Sequence, residues 1–151
     1  FRALVPPARK YTDYCVINEL EAQQITGVLL RDEEERLYAE HMEEALRKMK
    51  ELGVSAWAVI HCPEGGYGLD ANGVFVSMNS LSLPKDYIKG TVGAGDAFCA
   101  GVLYGAQKKW NLAESIRLGI CTAAASLSEP GATEGVGTLE EVMKLGEQFQ
   151  G

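Results

Sequence analysis

Thr91, Gly93, Ala94, Gly95 and Asp96 stand in one short stretch, Thr-Val-Gly-Ala-Gly-Asp, whose residue types suit the handling of an anion. Gly93 and Gly95 carry no Cβ, so the chain can turn sharply and let a ligand approach the backbone. The pattern predicts that residues 94–96 open a helix. The first N–H groups of a helix have no intrahelical partner and point outward. With the positive end of the helix dipole they make a site for an anion such as phosphate. Asp96 falls in the first turn, where the dipole favours its ionised form. A carboxylate beside such a cradle can accept a proton from an attacking hydroxyl. A glycine-rich turn before an acidic helix N-terminus is the plainer account of the same residues.

The helix predicted over 94–107 must hold this stretch. It is rich in small residues (Ala97, Cys99, Ala100, Gly101, Gly105, Ala106) and carries no charge from Ala97 to Gln107. Small residues allow close packing at some cost in helix propensity. The helix therefore reads as buried, with a rigidly held N-terminus. Asn111 and Glu114 have capping-box spacing for a following helix that runs to about Ser128, ahead of Pro130-Gly131. Thr138 and Glu141 cap a last helix.

Earlier in the chain, Tyr14-Cys15-Val16-Ile17 reads as a buried strand. Asn18 and Glu21 sit at the N-cap and N3 of a helix that ends at Gly27. Asp32–Leu52 reads as an amphipathic helix capped by Asp32, with Glu35 at N3. Its buried face is Tyr38, Met42, Ala45, Met49 and Leu52, and Gly53 ends it. His41 on this helix reads as solvated. Ala56-Trp57-Ala58-Val59-Ile60 fits a central parallel strand. His61-Cys62-Pro63-Glu64-Gly65-Gly66 reads as a loop at that strand's C-terminal end, where open α/β sheets bind ligands. Asn72-Gly73, between Gly68-Leu69-Asp70 and Val74-Phe75-Val76, signals a type I′ hairpin. Lys85 and Lys89 could attract phosphate or simply be solvated.

The chain has 151 residues and a net charge of −7, which argues against a nucleic-acid partner. Helix ends and a metal can hold phosphates without a basic patch. Cys15, Cys62, Cys99 and Cys121 form no CxxC and read as free thiols of a reducing cytosol. No apolar run is long enough for a membrane span. There is no GxxxxGK[ST] and no complete GxGxxG, since Phe98 stands sixth from Gly93.

Gly-Ala-Gly-Asp after Thr91 and before a small-residue helix resembles the signature of the ribokinase-like (PfkB-type) carbohydrate kinases. The resemblance begins near Tyr14 and covers only the second half of such a kinase. It implies the ATP-binding and catalytic half of one α/β domain, a doubly wound sheet flanked by helices. The sugar-binding and lid half would be absent, and with it a homodimer contact through the lid. Phe1–Pro7 reads as the tail of an earlier helix.

By resemblance Asp96 is the catalytic base, and the backbone of Gly93, Ala94 and Gly95 forms the anion hole, with Thr91 at its edge. Asn18 and Glu21 match an Asn-x-x-Glu that organises magnesium and the phosphates, often through water. That role and the capping role can coexist. The 61–66 loop falls where the family touches the nucleotide, usually as Thr-x-Gly-x-x-Gly. Here His61 replaces the Thr, Pro63 replaces the first Gly, and Gly65-Gly66 close the loop. His61 could donate to a phosphate or cap the strand end. Ile120, Gly131 and Ala132 fall at the adenine pocket, although Ile120 is equally well explained as core.

The resemblance implies ATP with Mg2+ and a sugar alcohol group as acceptor. A nucleoside or vitamin-like alcohol as acceptor, and a nucleotide-binding module without turnover, are the alternatives. Many members hold a monovalent cation through an Asp before the signature Thr and an oxygen-bearing side chain in a later loop. Gly90 and Gly135 stand at those places, so potassium activation is expected to be weak or absent.

Overall fold

The computed structural model describes residues 12–131 and 133–149. The reading of Phe1–Pro7 and the role given to Ala132 lie outside them. The described elements are β1 (Tyr14–Asn18), α1 (Glu19–Thr26), a 3-10 turn (Ala39–His41), α2 (Met42–Glu51), β2 (Trp57–Cys62), β3 (Gly65–Leu69), β4 (Phe75–Asn79), α3 (Ala94–Gln107), α4 (Leu112–Ser126) and α5 (Leu139–Gln148). The strands hydrogen-bond in the order β1-β2-β3-β4, and β1 is parallel to β2. Only Pro63-Glu64 separate β2 from β3, a connection open to antiparallel neighbours alone, so the sheet is mixed. The α/β class is the one expected. No helix among the described residues is long and apolar enough to cross a membrane.

These residues fall into two compact units, 12–62 with 67–77, and 63–66 with 78–149. In the first, α1 and α2 bury Ala22, Met42, Ala45, Leu46 and Met49 in one core with Ala58 and Ile60 of β2. α1 carries the predicted capping box: Asn18 Oδ1 accepts the Glu21 N–H at 2.8 Å and Glu21 Oε2 accepts the Asn18 N–H at 3.1 Å. Gly27 ends it in the left-handed region at φ 74°.

The helix expected from Asp32 is shorter than predicted. Residues 32–36 form a tight turn instead, in which Asp32 Oδ1 accepts the N–H groups of Glu34 (3.0 Å) and Arg36 (2.9 Å). Glu35 is left-handed at φ 64°, and Arg31 bridges to Leu37 as in an antiparallel pair. Asp and Asn side chains close such turns in competition with helix caps. Helical geometry begins only at Ala39, so Tyr38 is not on the helix.

The Asn72-Gly73 hairpin also differs. Gly73 N–H reaches Asp70 O at 3.2 Å, Gly73 has φ 79°, and Asn72 is not among the positive-φ residues. Type I′ would need both left-handed. This is the longer hairpin loop, a type I turn followed by a left-handed glycine. Asp70 Oδ1 sets it by accepting the Asn72 and Val74 N–H groups, each at 2.8 Å.

In the second unit α3 and α4 pack through their small residues. A methyl group at Gly101 would lie 2.8 Å from Gly119 Cα, and one at Gly105 would lie 2.7 Å from Ser115 Cβ. As residue number rises along α3 it falls along α4, so the helices are antiparallel. The N-terminus of α3 therefore lies at the C-terminal end of α4. Ser115 and Thr122, buried in this interface, return their hydroxyls to Asn111 O and Leu118 O of their own helix. α5, capped by Thr138 and Glu141 as expected, adds Val142 to a core with Leu118, Cys121 and Ala125.

Candidate active site

α3 begins at Ala94, as the sequence predicts, behind Gly93 at φ 80°. That left-handed conformation favours glycine and turns the chain abruptly into the helix. Three of the other helix starts offer a contrast; α2, led in by the 3-10 turn, has no side-chain cap either. α1, α4 and α5 each have a complete capping box, whereas no side chain caps α3. Its first intrahelical hydrogen bond runs from Ala97 N–H to Gly93 O at 2.8 Å. The N–H groups of Ala94, Gly95 and Asp96 thus have no partner within the helix and stand at its positive end. Asp96 is exposed in that same first turn, and its carboxylate faces solvent. Unpaired backbone N–H groups and an exposed carboxylate thereby share one helix end.

The loop that delivers Thr91 to this turn is anchored twice. Lys89 N–H donates to Leu127 O at 2.8 Å, and Gly90 lies against the backbone of Glu129 and Pro130. Lys89 also faces Glu129, with Nζ 3.9 Å from Oε1, so its charge is already shared. Lys85 is exposed. Cys99, one turn beyond Asp96, is half-buried. Burial first, then the Asp96 charge, pushes its thiol up, which makes it a poor nucleophile at neutral pH. All four cysteines are free; Cys62 and Cys121 are buried, Cys15 and Cys99 half-buried.

In the first unit, Asn18 ends β1 and pairs in register with His61, one residue before the end of the parallel strand β2. With Glu21, they lie together at the C-terminal edge of the sheet, the edge where α/β sheets bind ligands. Glu21 Oε2 is used by the cap, and its Oε1 meets no protein donor among the described residues. A hard carboxylate oxygen suits magnesium or its bound water. Among the described residues no group of three or more His, Cys, Asp or Glu could hold a metal.

The 61–66 segment is not the open loop expected. His61-Cys62 finish β2, Pro63-Glu64 turn, and Gly65-Gly66 begin β3, both buried. Packing accounts for these glycines. A side chain at Gly65 would run into the carbonyl of Met78, and one at Gly66 into Phe98 and Ile116. Ile120 is buried in α4, as the core account of it requires. Gly131 lies beneath the Glu134 carboxylate, which occupies the space a side chain would fill. Phe98 and Gly119 were not singled out from sequence, and the only available signal was a bulky ring within a helix of small residues.

A family model described as pfkB family carbohydrate kinase matches residues 2–139. An uncharacterized sugar kinase of Archaeoglobus fulgidus is 35% identical over 106 residues, 70% of this chain and 41% of that protein. The ribokinase of Haemophilus influenzae is 29% identical over 140 residues, 88% of this chain and 40% of that one. Among solved structures, an E. coli protein assigned as ribokinase II, in complex with ATP and Mg2+, superposes with a TM-score of 0.76 at 18% identity. The match covers 97% of this chain and 43% of that one. At that identity the likeness shows the fold alone. The chain spans about two fifths of the length of the curated relatives it matches.

Proposed function

The chain belongs to the pfkB family of carbohydrate kinases, and from that premise we propose that the full-length protein transfers the γ-phosphoryl group of ATP to an alcohol group of a sugar. The observation that carries the reading is the uncapped N-terminus of α3 with Asp96 exposed in its first turn. Asp96 takes the proton from the acceptor hydroxyl, which becomes the nucleophile. The backbone N–H groups at Gly93, Ala94 and Gly95 stabilise charge on the transferring phosphoryl group. They are preorganised dipoles that need no rearrangement during the reaction. Glu21 Oε1 with Asn18 would hold the water shell of magnesium, which would supply neutralisation of phosphate charge. His61, the register partner of Asn18, would donate to a phosphate, a reading supported by its position near the C-terminal end of β2.

The test is ADP formation by the full-length protein with ATP, Mg2+ and a panel of sugars and nucleosides. Asp96→Asn is the control. Turnover with one acceptor, lost by orders of magnitude in Asp96→Asn, supports the kinase and names its acceptor class. Tight ATP binding without turnover for any acceptor would instead favour a nucleotide-binding module.

A further inference from the structure

We infer that Phe98 is a positioning residue for Asp96 and that Gly66 and Gly119 form the slot holding its ring. The inference rests on Asp96 being the base. Two residues apart on a helix lie about 200° around its axis. Asp96 can therefore face solvent while Phe98, 3% exposed, faces the core.

The ring is gripped from two sides. A methyl group at Gly66 of β3 would lie 2.9 Å from Phe98 Cζ and 3.0 Å from Cε2. A methyl group at Gly119 of α4 would lie 3.1 Å from Cδ2 and 2.9 Å from the Phe98 carbonyl oxygen. Carbon atoms in favourable contact stand about 3.5–4.0 Å apart, so neither position admits a side chain while the ring stays in place. A close-packed interior transmits such a displacement rather than absorbing it. The path to Asp96 is two residues of helix. Another glycine contact, that of Gly105 on α3 with Ser115, lies near the opposite end of the helix. Gly66 thus bears on Asp96 through Phe98.

The experiment measures kcat and KM for MgATP in the full-length protein, at a temperature where near-ultraviolet circular dichroism shows each variant folded. The variants are Gly66→Ala, Phe98→Leu, the two combined, Gly105→Ala and Asp96→Asn. Val142→Ala replaces Gly105→Ala if the latter does not fold. Gly66→Ala is expected to lower kcat by about 10- to 100-fold with little change in KM, the scale on which misplacing a reacting group acts. Phe98→Leu lowers kcat as well, and the combined variant loses less than the product of the two single losses, because leucine removes the ring that the new methyl strikes and leaves only its contact with Ile116. Gly105→Ala lowers Tm and leaves kcat unchanged.

Three results would overturn the inference while Asp96→Asn is inactive. They are an unchanged kcat in both Gly66→Ala and Phe98→Leu, a kcat loss in Gly105→Ala equal to theirs, or a rise in KM alone in Gly66→Ala. The last would make Gly66 a nucleotide contact. Turnover that survives Asp96→Asn removes the base reading and this inference with it, a pattern distinct from the other three.

Discussion

Gly90 and Pro130 lie in backbone contact: a methyl group on Gly90 would sit 2.9 Å from the Pro130 carbonyl oxygen and 3.0 Å from its Cα. Gly135 is closed in the same way, by the Ala125 carbonyl and by Ser128 Oγ at 2.6 Å from where its side chain would begin. These are the two places where the ribokinase-like resemblance expects cation-holding side chains. Each lacks an oxygen and has no room for one.

Replacing sodium by potassium is therefore expected to change turnover of the full-length protein by less than about twofold, within the range left by indirect salt effects. Gly90→Asp does not create a potassium response. It destabilises by about 1–3 kcal/mol, the usual cost of forcing atoms into filled space, read by urea denaturation. A large potassium activation of the unmodified protein would contradict the closed site.

Asn18 and Glu21 separate capping from metal chemistry. Asn18→Ala should cost about 1 kcal/mol of stability, as loss of an N-cap side chain usually does. Glu21→Gln keeps an oxygen for the Asn18 N–H but removes the negative charge. Stability then changes little, while the Mg2+ concentration for half-maximal turnover rises several-fold. Superimposable Mg2+ titrations would leave Glu21 as a helix cap alone.

Local signals were legible in the sequence because they act over three or four residues. The capping boxes at Asn18, Asn111 and Thr138 fall where the spacing places them, as does the start of α3. At Asp32 the same spacing misleads, because its carboxylate binds the Glu34 and Arg36 N–H groups in a turn rather than a helix. Gly65 and Gly66 read as part of a ligand-binding loop, yet the atoms that require them to be glycine belong to Met78, Phe98 and Ile116. Such long-range contacts have no local periodicity. The ion pair between Glu19 and Arg31 is hidden for the same reason.

Acid stability draws on three carboxylates among the described residues: Glu44, lowered first by its hydrogen bond from Lys48, and Asp32 and Glu141. The Arg36 N–H does most to hold Asp32 below the ordinary carboxylate range; desolvation, next in size, opposes it, and the Tyr38 hydroxyl and the Glu34 N–H restore the balance downward. The N–H and hydroxyl of Thr138 hold Glu141 low as well. A depressed folded-state pKa gives stability that is present above the ordinary carboxylate value and is lost as pH falls through the folded one. Tm should be nearly level from neutral pH to about 5 and fall below about 4. Asp32→Asn should lower Tm at neutral pH and flatten that acid limb. An acid limb of unchanged steepness in Asp32→Asn would show that Asp32 does not contribute to it.

Arg31 and Glu19 join the first turn of α1 to the turn at 32–36. Arg31 Nε donates to Glu19 Oε1 at 2.8 Å, with side chains only 8% and 9% exposed. Arg31 Nη1 donates to Glu35 O at 2.7 Å, which fixes the left-handed residue. Gln23 Oε1 accepts the N–H groups of Leu30 and Arg31 at 2.7 and 3.0 Å, tying the same segment to α1. Two charges removed from water lose solvation that their attraction only partly restores, so such a pair defines geometry more than it stabilises. Arg31→Met should cost about 3–5 kcal/mol, because it strands the Glu19 carboxylate in the interior. Glu19→Leu combined with Arg31→Met should recover most of that loss. Urea denaturation with matched m-values reads both, and the strong coupling expected between the two sites is the signature. Additive losses in the double variant would mean that the two charges do not act as a pair.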